Sequence, residues 1–287
     1  MKGRRDEDLA AVRHAYAKRI LAGAHAADGS IERAFAAVPR EDFLGPGPWP
    51  IYGFHGGGYE GSQSDDPVLL YTDDLVGIAP ERGINNGQPS LHAHLLASAA
   101  ARDGEHIVHV GAGVGYYSAI MAEIVGPSGR VTAIEFEPDL AARVTVNLAR
   151  YRNVTVVRGD GTSVAFDPAD IVYVNAGATR PVDAWLDRLT EGGRLVLPLT
   201  VEDKSADIER RGAVFVITRR GADFLARWVS PVAIYPCVGA RDDVSARALA
   251  KGFGKGGWRR VTRLYRSDDV PPGRCWVRAP GWCLAYE

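Results

Sequence analysis

Cysteine is scarce in this chain: Cys237, Cys275 and Cys283 are the three among 287 residues. They are too few for a disulfide framework, and their wide spacing matches no zinc site, so free thiols in a cytoplasmic protein, with no metal, are expected. No apolar run approaches bilayer-spanning length, and Met1 to Leu21 is charged rather than signal-like, which argues against a membrane role. Charge of one sign is also missing. With 34 basic and 35 acidic residues the net charge is −1, so nothing drives the chain toward nucleic acid or an anionic surface. Internal repeats and low-complexity tracts are absent. What remains is an apolar content of 46%, ample for a sizeable core in one large domain or a domain with an appendage.

The most telling stretch runs from Ile107 to Tyr117. It reads as a buried strand entering a glycine turn, with a helix from about Tyr116. Gly111, Gly113 and Gly115 leave room for a ligand to approach the backbone, and the helix N-terminus offers unpaired N–H groups. A short apolar helix, Ser118 to Val125, and a Gly126-Pro127-Ser128-Gly129 break follow. The next strand, Arg130 to Ile134, ends in Glu135, 20 residues after Gly115. An acid there can accept from ribose hydroxyls. A dinucleotide fingerprint would want glycine where Tyr116 stands, so an adenosyl ligand without pyrophosphate is expected. An NAD-dependent oxidoreductase stays as a remote alternative, and a plain glycine turn with a solvated acid is the bland one.

A third run, Val154 to Arg158, ends in Gly159-Asp160-Gly161, where Asp160 either accepts from an adenine amino group or simply closes a turn. A fourth, Asp170 to Val174, leads into Asn175. A helix over Pro181 to Leu189 and a strand over Arg194 to Leu199 come next. Strands alternating with helices predict an α/β fold with a mainly parallel sheet and helices on both faces. Ligands of such sheets lie at the strand C-terminal ends, which here carry Gly111, Glu135 and Asp160.

Val108 to Tyr117, Ile134-Glu135, Gly159-Asp160-Gly161 and Leu189 to Leu199 resemble the ordered motifs of class I S-adenosylmethionine-dependent methyltransferases, a Rossmann-like fold. Upstream, Val38-Pro39-Arg40-Glu41-Asp42-Phe43, Tyr71-Thr72-Asp73 and Gln88-Pro89 narrow the likeness to the protein-L-isoaspartate O-methyltransferase family over residues 30 to 200. The resemblance implies S-adenosylmethionine as cofactor. It places Gly111, Gly113 and Gly115 around its methionine part, Glu135 at the ribose, and Asp160 with Gly161 beside the adenine, with Ala112, Tyr116, Phe136 and Asn175 as further cofactor-binding candidates. It also implies O-methylation of a peptide or protein carboxylate, isoaspartyl or a specialised aspartyl or terminal one. A carboxylate is already ionised near neutral pH, so the reaction needs no strong base. A module that binds the cofactor without transferring methyl is the second reading.

Three departures from the family pattern stand out. His109 occupies a position that is acidic in the family. Gly87 stands where the family has an active-site serine, although Asn85 and Asn86 offer amide donors beside it; a tight turn is the alternative reading. The segment from Phe43 to Tyr71 is enlarged, with Gly45 to Pro50 and His55 to Gly61, either as a lid over the acceptor or as a surface insertion. Asn86, Gln88 and His92 are the catalytic candidates, and Tyr71, Asn85 and Gly87 the substrate-binding ones. His92 is alternatively a structural histidine.

The expected organisation is residues 1–80 as N-terminal helices with a lid-like insertion, 81–230 as the cofactor-binding core and 231–287 as a C-terminal extension packed on it. Helices are predicted over Asp8 to Ala22 and, capped by Ser30, over Ser30 to Val38. Val214 to Thr218 and Phe224 to Trp228 predict a closing antiparallel hairpin. Ser245 to Ala250 reads as helix and Lys251 to Arg260 as a loop, and Trp276 to Tyr286 as a final strand pair. Oligomeric state is left open.

Overall fold

The structure is a computed structural model and describes residues 2–53, 57–202 and 208–287; His55 and Gly56 of the enlarged segment lie outside them. In chain order the elements are α1 (Lys2–Gly23), α2 (Gly29–Ala37), α3 (Glu41–Leu44), β1 (Pro50–Gly53), β2 (Gly58–Gly61), β3 (Gly77–Ala79), β4 (Ile84–Asn85), α4 (Pro89–Ala99), β5 (His106–Val110), α5 (Tyr116–Val125), β6 (Arg130–Glu135), α6 (Pro138–Asn147) and β7 (Val154–Arg158). There follow β8 (Ala169–Val174), α7 (Asp183–Asp187), β9 (Leu189–Thr200), α8 (Ile208–Arg211), β10 (Gly212–Arg220), β11 (Asp223–Pro231), α9 (Asp243–Lys255), β12 (Arg263–Tyr265), β13 (Cys275–Ala279) and β14 (Trp282–Ala285). The chain forms two compact units. One comprises Met1–Gly104, Ala112–Val131 and Glu137–Val156, the other Glu105–Gly111, Thr132–Phe136 and Val157–Glu287.

The strands of the main sheet run in the order β13-β14-β12-β11-β10-β9-β8-β5-β6-β7. β8 pairs parallel with β5 and β9, and every residue of β5 is buried, as a strand covered on both faces requires. From β9 onward the pairing is antiparallel: β10 with β9 and β11, β12 with β11 and β14, and β13 with β14. The expected α/β sheet with its antiparallel hairpin is present, and three further strands continue it. Its core gathers Val108, Val172, Leu195, Phe215, Trp185 and Trp276.

Two local expectations are corrected. Helix α9 runs on through Lys251 to Lys255, read as loop from its glycines, because Leu249 and Phe253, one turn apart, are both buried. Gly252 is needed there: a Cβ on it would stand 2.4 Å from Val277 Cγ2. Packing outweighs the helix cost of the two glycines, Gly252 and Gly254, about 1 kcal/mol each. Helix α7 is shorter than Pro181 to Leu189, since Leu189 already belongs to β9.

In the first unit the cap of α2 is Asp28, not Ser30. Asp28 Oδ1 accepts from the Ser30 and Ile31 amides at 2.9 and 3.4 Å. The aromatic rings of Tyr16, Phe35, Phe43, Tyr71 and Tyr116 pack edge-to-face or tilted, with centroids 5.3–6.3 Å apart. The enlarged segment is an antiparallel β1–β2 hairpin. Buried Trp49 anchors it, donating to the Gly45 carbonyl at 2.9 Å and packing with Leu70 and Val76. Its base is tied to the chain before β3 by Tyr52 N–H to Leu75 O at 2.9 Å.

Candidate functional site

In the second unit, backbone hydrogen bonds lace the expected strand ends side by side. Gly111 N–H donates to Ile134 O, Gly159 N–H to Glu135 O and Asn175 N–H to Val110 O, at 2.8–2.9 Å. Asn175 Nδ2 adds a bond to Gly111 O at 3.2 Å. Gly111, Glu135, Asp160 and Asn175 therefore share one edge of the sheet. Gly111 has φ +80°, a left-handed conformation that favours glycine. Gly161 is dictated by contact instead, since a Cβ on it would stand 2.4 Å from Val110 Cγ1. Glu135 is 5% exposed, and the next side chain, Phe136, is 44% exposed. A buried carboxylate beside an open aromatic face suits a nucleoside.

Asp160 is more committed than the sequence suggests. Its Oδ1 accepts from the Thr162 amide at 2.9 Å and the Thr162 hydroxyl at 2.8 Å. Gly239, far along the chain, packs on the same carboxylate, because a Cβ there would lie 2.5 Å from Oδ2. The strap around Gly239 is fixed by Cys237 N–H to Gly177 O at 2.9 Å and Arg241 Nη1 to Gly177 O at 2.7 Å. Neither Thr162 nor Gly239 is visible in the motif pattern, since Gly239 belongs to a loop with no periodicity.

His109 is fully buried, its ring edge-on to Tyr173 with centroids 5.6 Å apart. Burial pushes its pKa down to about 3, so the family's acidic position carries a neutral imidazole. An unfolded histidine protonates near 6.5. Below that pH the unfolded chain binds a proton that the native chain refuses, and stability falls as pH drops from about 6.5 toward about 3. The slope is about 1.4 kcal/mol per pH unit. Urea unfolding at pH 6.5 and 5 should show the wild type losing about 2 kcal/mol more than His109→Asn; equal losses would contradict the assignment.

The loop residues after Gly111 belong to the first unit and divide by role. At Gly113 (φ +60°) no heavy atom lies within 4 Å of where a Cβ would stand, so the backbone faces open space. Gly115 (φ +93°) is a packing glycine, with Val144 Cγ2 only 2.8 Å from the corresponding position. Ala112 is buried. Tyr116, expected at the cofactor, has its ring enclosed 1% exposed in the aromatic layer with Phe35 and Phe43. Its backbone N–H lies in the first turn of α5, where no intrahelical acceptor precedes it.

The acceptor candidates in this unit are held by a chain of contacts that starts at Arg40. The guanidinium is 0% exposed and donates to Leu70 O at 2.6 Å, Thr72 O at 3.0 Å and Asp74 O at 3.0 Å. The segment so fixed carries Asp73. Its carboxylate accepts from Ser90 N–H (2.7 Å) and Ser90 Oγ (2.6 Å), capping α4, and from Gln88 Nε2 (2.9 Å). Gln88, read as a catalytic candidate, has its Nε2 engaged as a clamp on Asp73. Tyr71, read as a substrate contact, has its hydroxyl bonded to Glu41 and accepting from the Arg40 amide, and its ring is 1% exposed. The sequence motifs V-P-R-E-x-F and Y-x-D are thus one structural clamp, with Arg40, Asp73 and Ser90 its working parts.

The turn itself is tight, as the alternative reading has it. Asn85 Oδ1 accepts from Gly87 N–H at 2.8 Å, and the Tyr59 hydroxyl of the β1–β2 hairpin faces the Asn85 side chain. Asn86 is 6% exposed, and its Nδ2 has no hydrogen-bond partner among the described residues. Gly87 has φ +73°, and a Cβ on it would stand 2.4 Å from His92 Nε2. His92, 2% exposed, stacks on Tyr117 with centroids 3.5 Å apart, and Tyr117 Oη donates to Gly87 O at 3.1 Å. An imidazole thus fills the space that a side chain at 87 would need.

Residues 65–224, more than half of the chain, match the family model described as protein-L-isoaspartate(D-aspartate) O-methyltransferase. A protein-L-isoaspartate O-methyltransferase of Ignicoccus hospitalis is 36% identical over 175 residues, 59% of this chain and 79% of that protein. One of Rhodopseudomonas palustris is 30% identical over 228 residues, 78% of this chain and 91% of its own length. Among solved structures, a protein-L-isoaspartate O-methyltransferase aligns at TM-score 0.61 and 24% identity, covering 74% of this chain and 62% of that one. A Plasmodium falciparum protein described with the same activity, solved with S-adenosyl-L-homocysteine, aligns at 0.60 and 18% identity over 78% and 97%. At those identities the two structures speak to the fold.

Proposed function

Because this chain belongs to the protein-L-isoaspartate(D-aspartate) O-methyltransferase family, we propose that its acceptor is an isoaspartyl-type carboxylate of a peptide or protein, received at the Asn85-Asn86-Gly87 turn. The protein is an S-adenosylmethionine-dependent carboxyl O-methyltransferase, and the nicotinamide alternative is set aside. The observation that carries the acceptor reading is the buried Asn86 amide nitrogen without a hydrogen-bond partner among the described residues. A buried donor left unpaired costs about 1–3 kcal/mol, which a carboxylate oxygen would offset. A specialised aspartyl or terminal carboxylate is the second reading, favoured by the imidazole where a hydroxyl side chain would have been.

The residues of the second unit fit the nucleoside end of the cofactor: a buried carboxylate at Glu135 and the Asp160 turn beside Gly161. Glu135 would hold the ribose and Asp160 the adenine edge, with neutral His109 supplying no charge for an ammonium. S-adenosylmethionine supplies a methyl group on a sulfonium, open to attack by a carboxylate oxygen. The chain's own task is then to orient and desolvate the acceptor, with no proton to remove. Asn86 aims the carboxylate, and the Arg40–Asp73–Ser90 clamp keeps the turn rigid.

Labelled cofactor offered with isoaspartyl and ordinary aspartyl peptides tests this. Base-labile methyl on the isoaspartyl peptide alone is expected; label confined to ordinary aspartyl or terminal carboxylates would replace that acceptor with a specialised one. Gly239→Ala checks the adenine side independently. Its Cβ would press on Asp160 Oδ2 from 2.5 Å, and calorimetry with S-adenosylhomocysteine should show affinity lowered about tenfold, a change of about 1.4 kcal/mol.

A further inference from the structure

Cys275 and Cys283, eight residues apart in sequence, meet inside the C-terminal hairpin with their sulfurs 2.7 Å apart. A bulge brings this about. Along β13 and β14 the register runs Arg278↔Cys283 and Val277↔Leu284, then shifts so that Cys275 pairs with Ala285. The extra residue, Trp276, enters the main core. The shift turns Cys275 to the face of Ala285 and therefore of Cys283, two residues along the same strand. Both thiols are buried, 8% and 0% exposed, in a small cluster with Val270 and Ala285.

We infer that Cys275 and Cys283 are a disulfide-forming pair, a modification site that closes when the folded protein meets a small-molecule disulfide oxidant. A disulfide bond is about 2.05 Å long, so the sulfurs need to close by only about 0.6 Å. Cys275 is the entry point. It is the more exposed of the two, and the Arg278 guanidinium, 3.8 Å from its sulfur, lies beside the atom on which negative charge develops. The Cys275 thiolate attacks one sulfur of oxidised glutathione, breaking that S–S bond and releasing one glutathione thiolate, which takes up a proton. The Cys283 sulfur, giving its proton to solvent, then attacks Cys275 Sγ in the mixed disulfide and expels the second glutathione. Two protein thiols are oxidised, and one glutathione disulfide is reduced to two thiols. Cys237 has no thiol neighbour among the described residues; its sulfur lies by its own chain at Val238 O, 3.6 Å away, so it serves as an internal control.

The native full-length protein is incubated with oxidised glutathione, denatured and alkylated without reductant, and mapped by peptide mass. The expected result is one alkylated cysteine, Cys237, and a fragment linking 275 to 283 that is lighter by two hydrogen atoms. Reduction before alkylation should label all three. Cys275→Ser should abolish the linked fragment. Three alkylated cysteines in the unreduced wild type, or a bond joining two chains, would overturn the inference. If the pair closes, the oxidised protein should melt about 5 °C above the reduced one, and Cys275→Ser should show no such difference.

Discussion

Arg40→Met should lower the free energy of unfolding by about 3–5 kcal/mol, the scale of stranding three carbonyls that now accept from one guanidinium. The guanidinium is fully enclosed and is the donor for the carbonyls of Leu70, Thr72 and Asp74. Methionine fills much of the volume but donates nothing; the stranded Leu70 carbonyl, at a buried contact, costs about 1–3 kcal/mol, and the part-buried Thr72 and Asp74 carbonyls cost less. Relief from burying a cation works in the other direction and keeps the total from reaching the full sum. Arg40→Lys should recover little, because one ammonium cannot replace a planar fork reaching three acceptors. Urea unfolding at neutral pH measures both variants. A loss under about 1 kcal/mol for the methionine variant would mean that the three carbonyls find other donors. The clamp also reaches the acceptor turn, since the fixed segment carries Asp73, which caps α4 through Ser90 and holds Gln88. Residual Arg40→Met enzyme should therefore show a raised KM for the peptide before any change in cofactor affinity.

How far this was readable from the residues depends on the kind of interaction. Glycines at a strand-to-helix turn and acids at strand ends have local signatures, and Gly111, Glu135 and Asp160 do share one sheet edge. The run of β-branched residues in 154–158 and 170–174 likewise declares β7 and β8. Roles set by distant contact leave no such trace. Gln88 and Tyr71 look like acceptor ligands by position, and nothing in the sequence announces that the Gln88 amide nitrogen binds Asp73 and the Tyr71 hydroxyl binds Glu41. Tyr116 follows the glycine loop but its ring belongs to the aromatic layer beside Phe43. Gly239 meets Asp160 across 79 residues of sequence, and no periodicity could announce that. The three glycines of the loop look alike in sequence and differ in space: open at 113, packed at 115 and conformational at 111.

Gly87→Ser, the substitution that would bring back a hydroxyl at the acceptor turn, should instead destabilise the protein by about 3 kcal/mol. A side chain in the left-handed region costs about 1–2 kcal/mol, and Gly87 sits at φ +73°. The remainder comes from steric conflict, since the new Cβ would stand 2.4 Å from His92 Nε2 and 3.5 Å from the Tyr117 ring. His92 has little room to retreat, being 2% exposed and stacked on Tyr117. His92→Ala alone should cost stability through the lost stacking, yet added to Gly87→Ser it should return part of the loss. The two changes are therefore non-additive by at least about 1 kcal/mol in a double-mutant cycle, as expected for residues in contact. Simple additivity would mean that the imidazole swings aside freely and that the two positions are not a matched pair. The double variant also separates the two acceptor readings. If imidazole and glycine together select a specialised carboxylate, Gly87→Ser with His92→Ala should raise kcat/KM for isoaspartyl peptide relative to that carboxylate; an unchanged ratio would place the selection elsewhere in the chain.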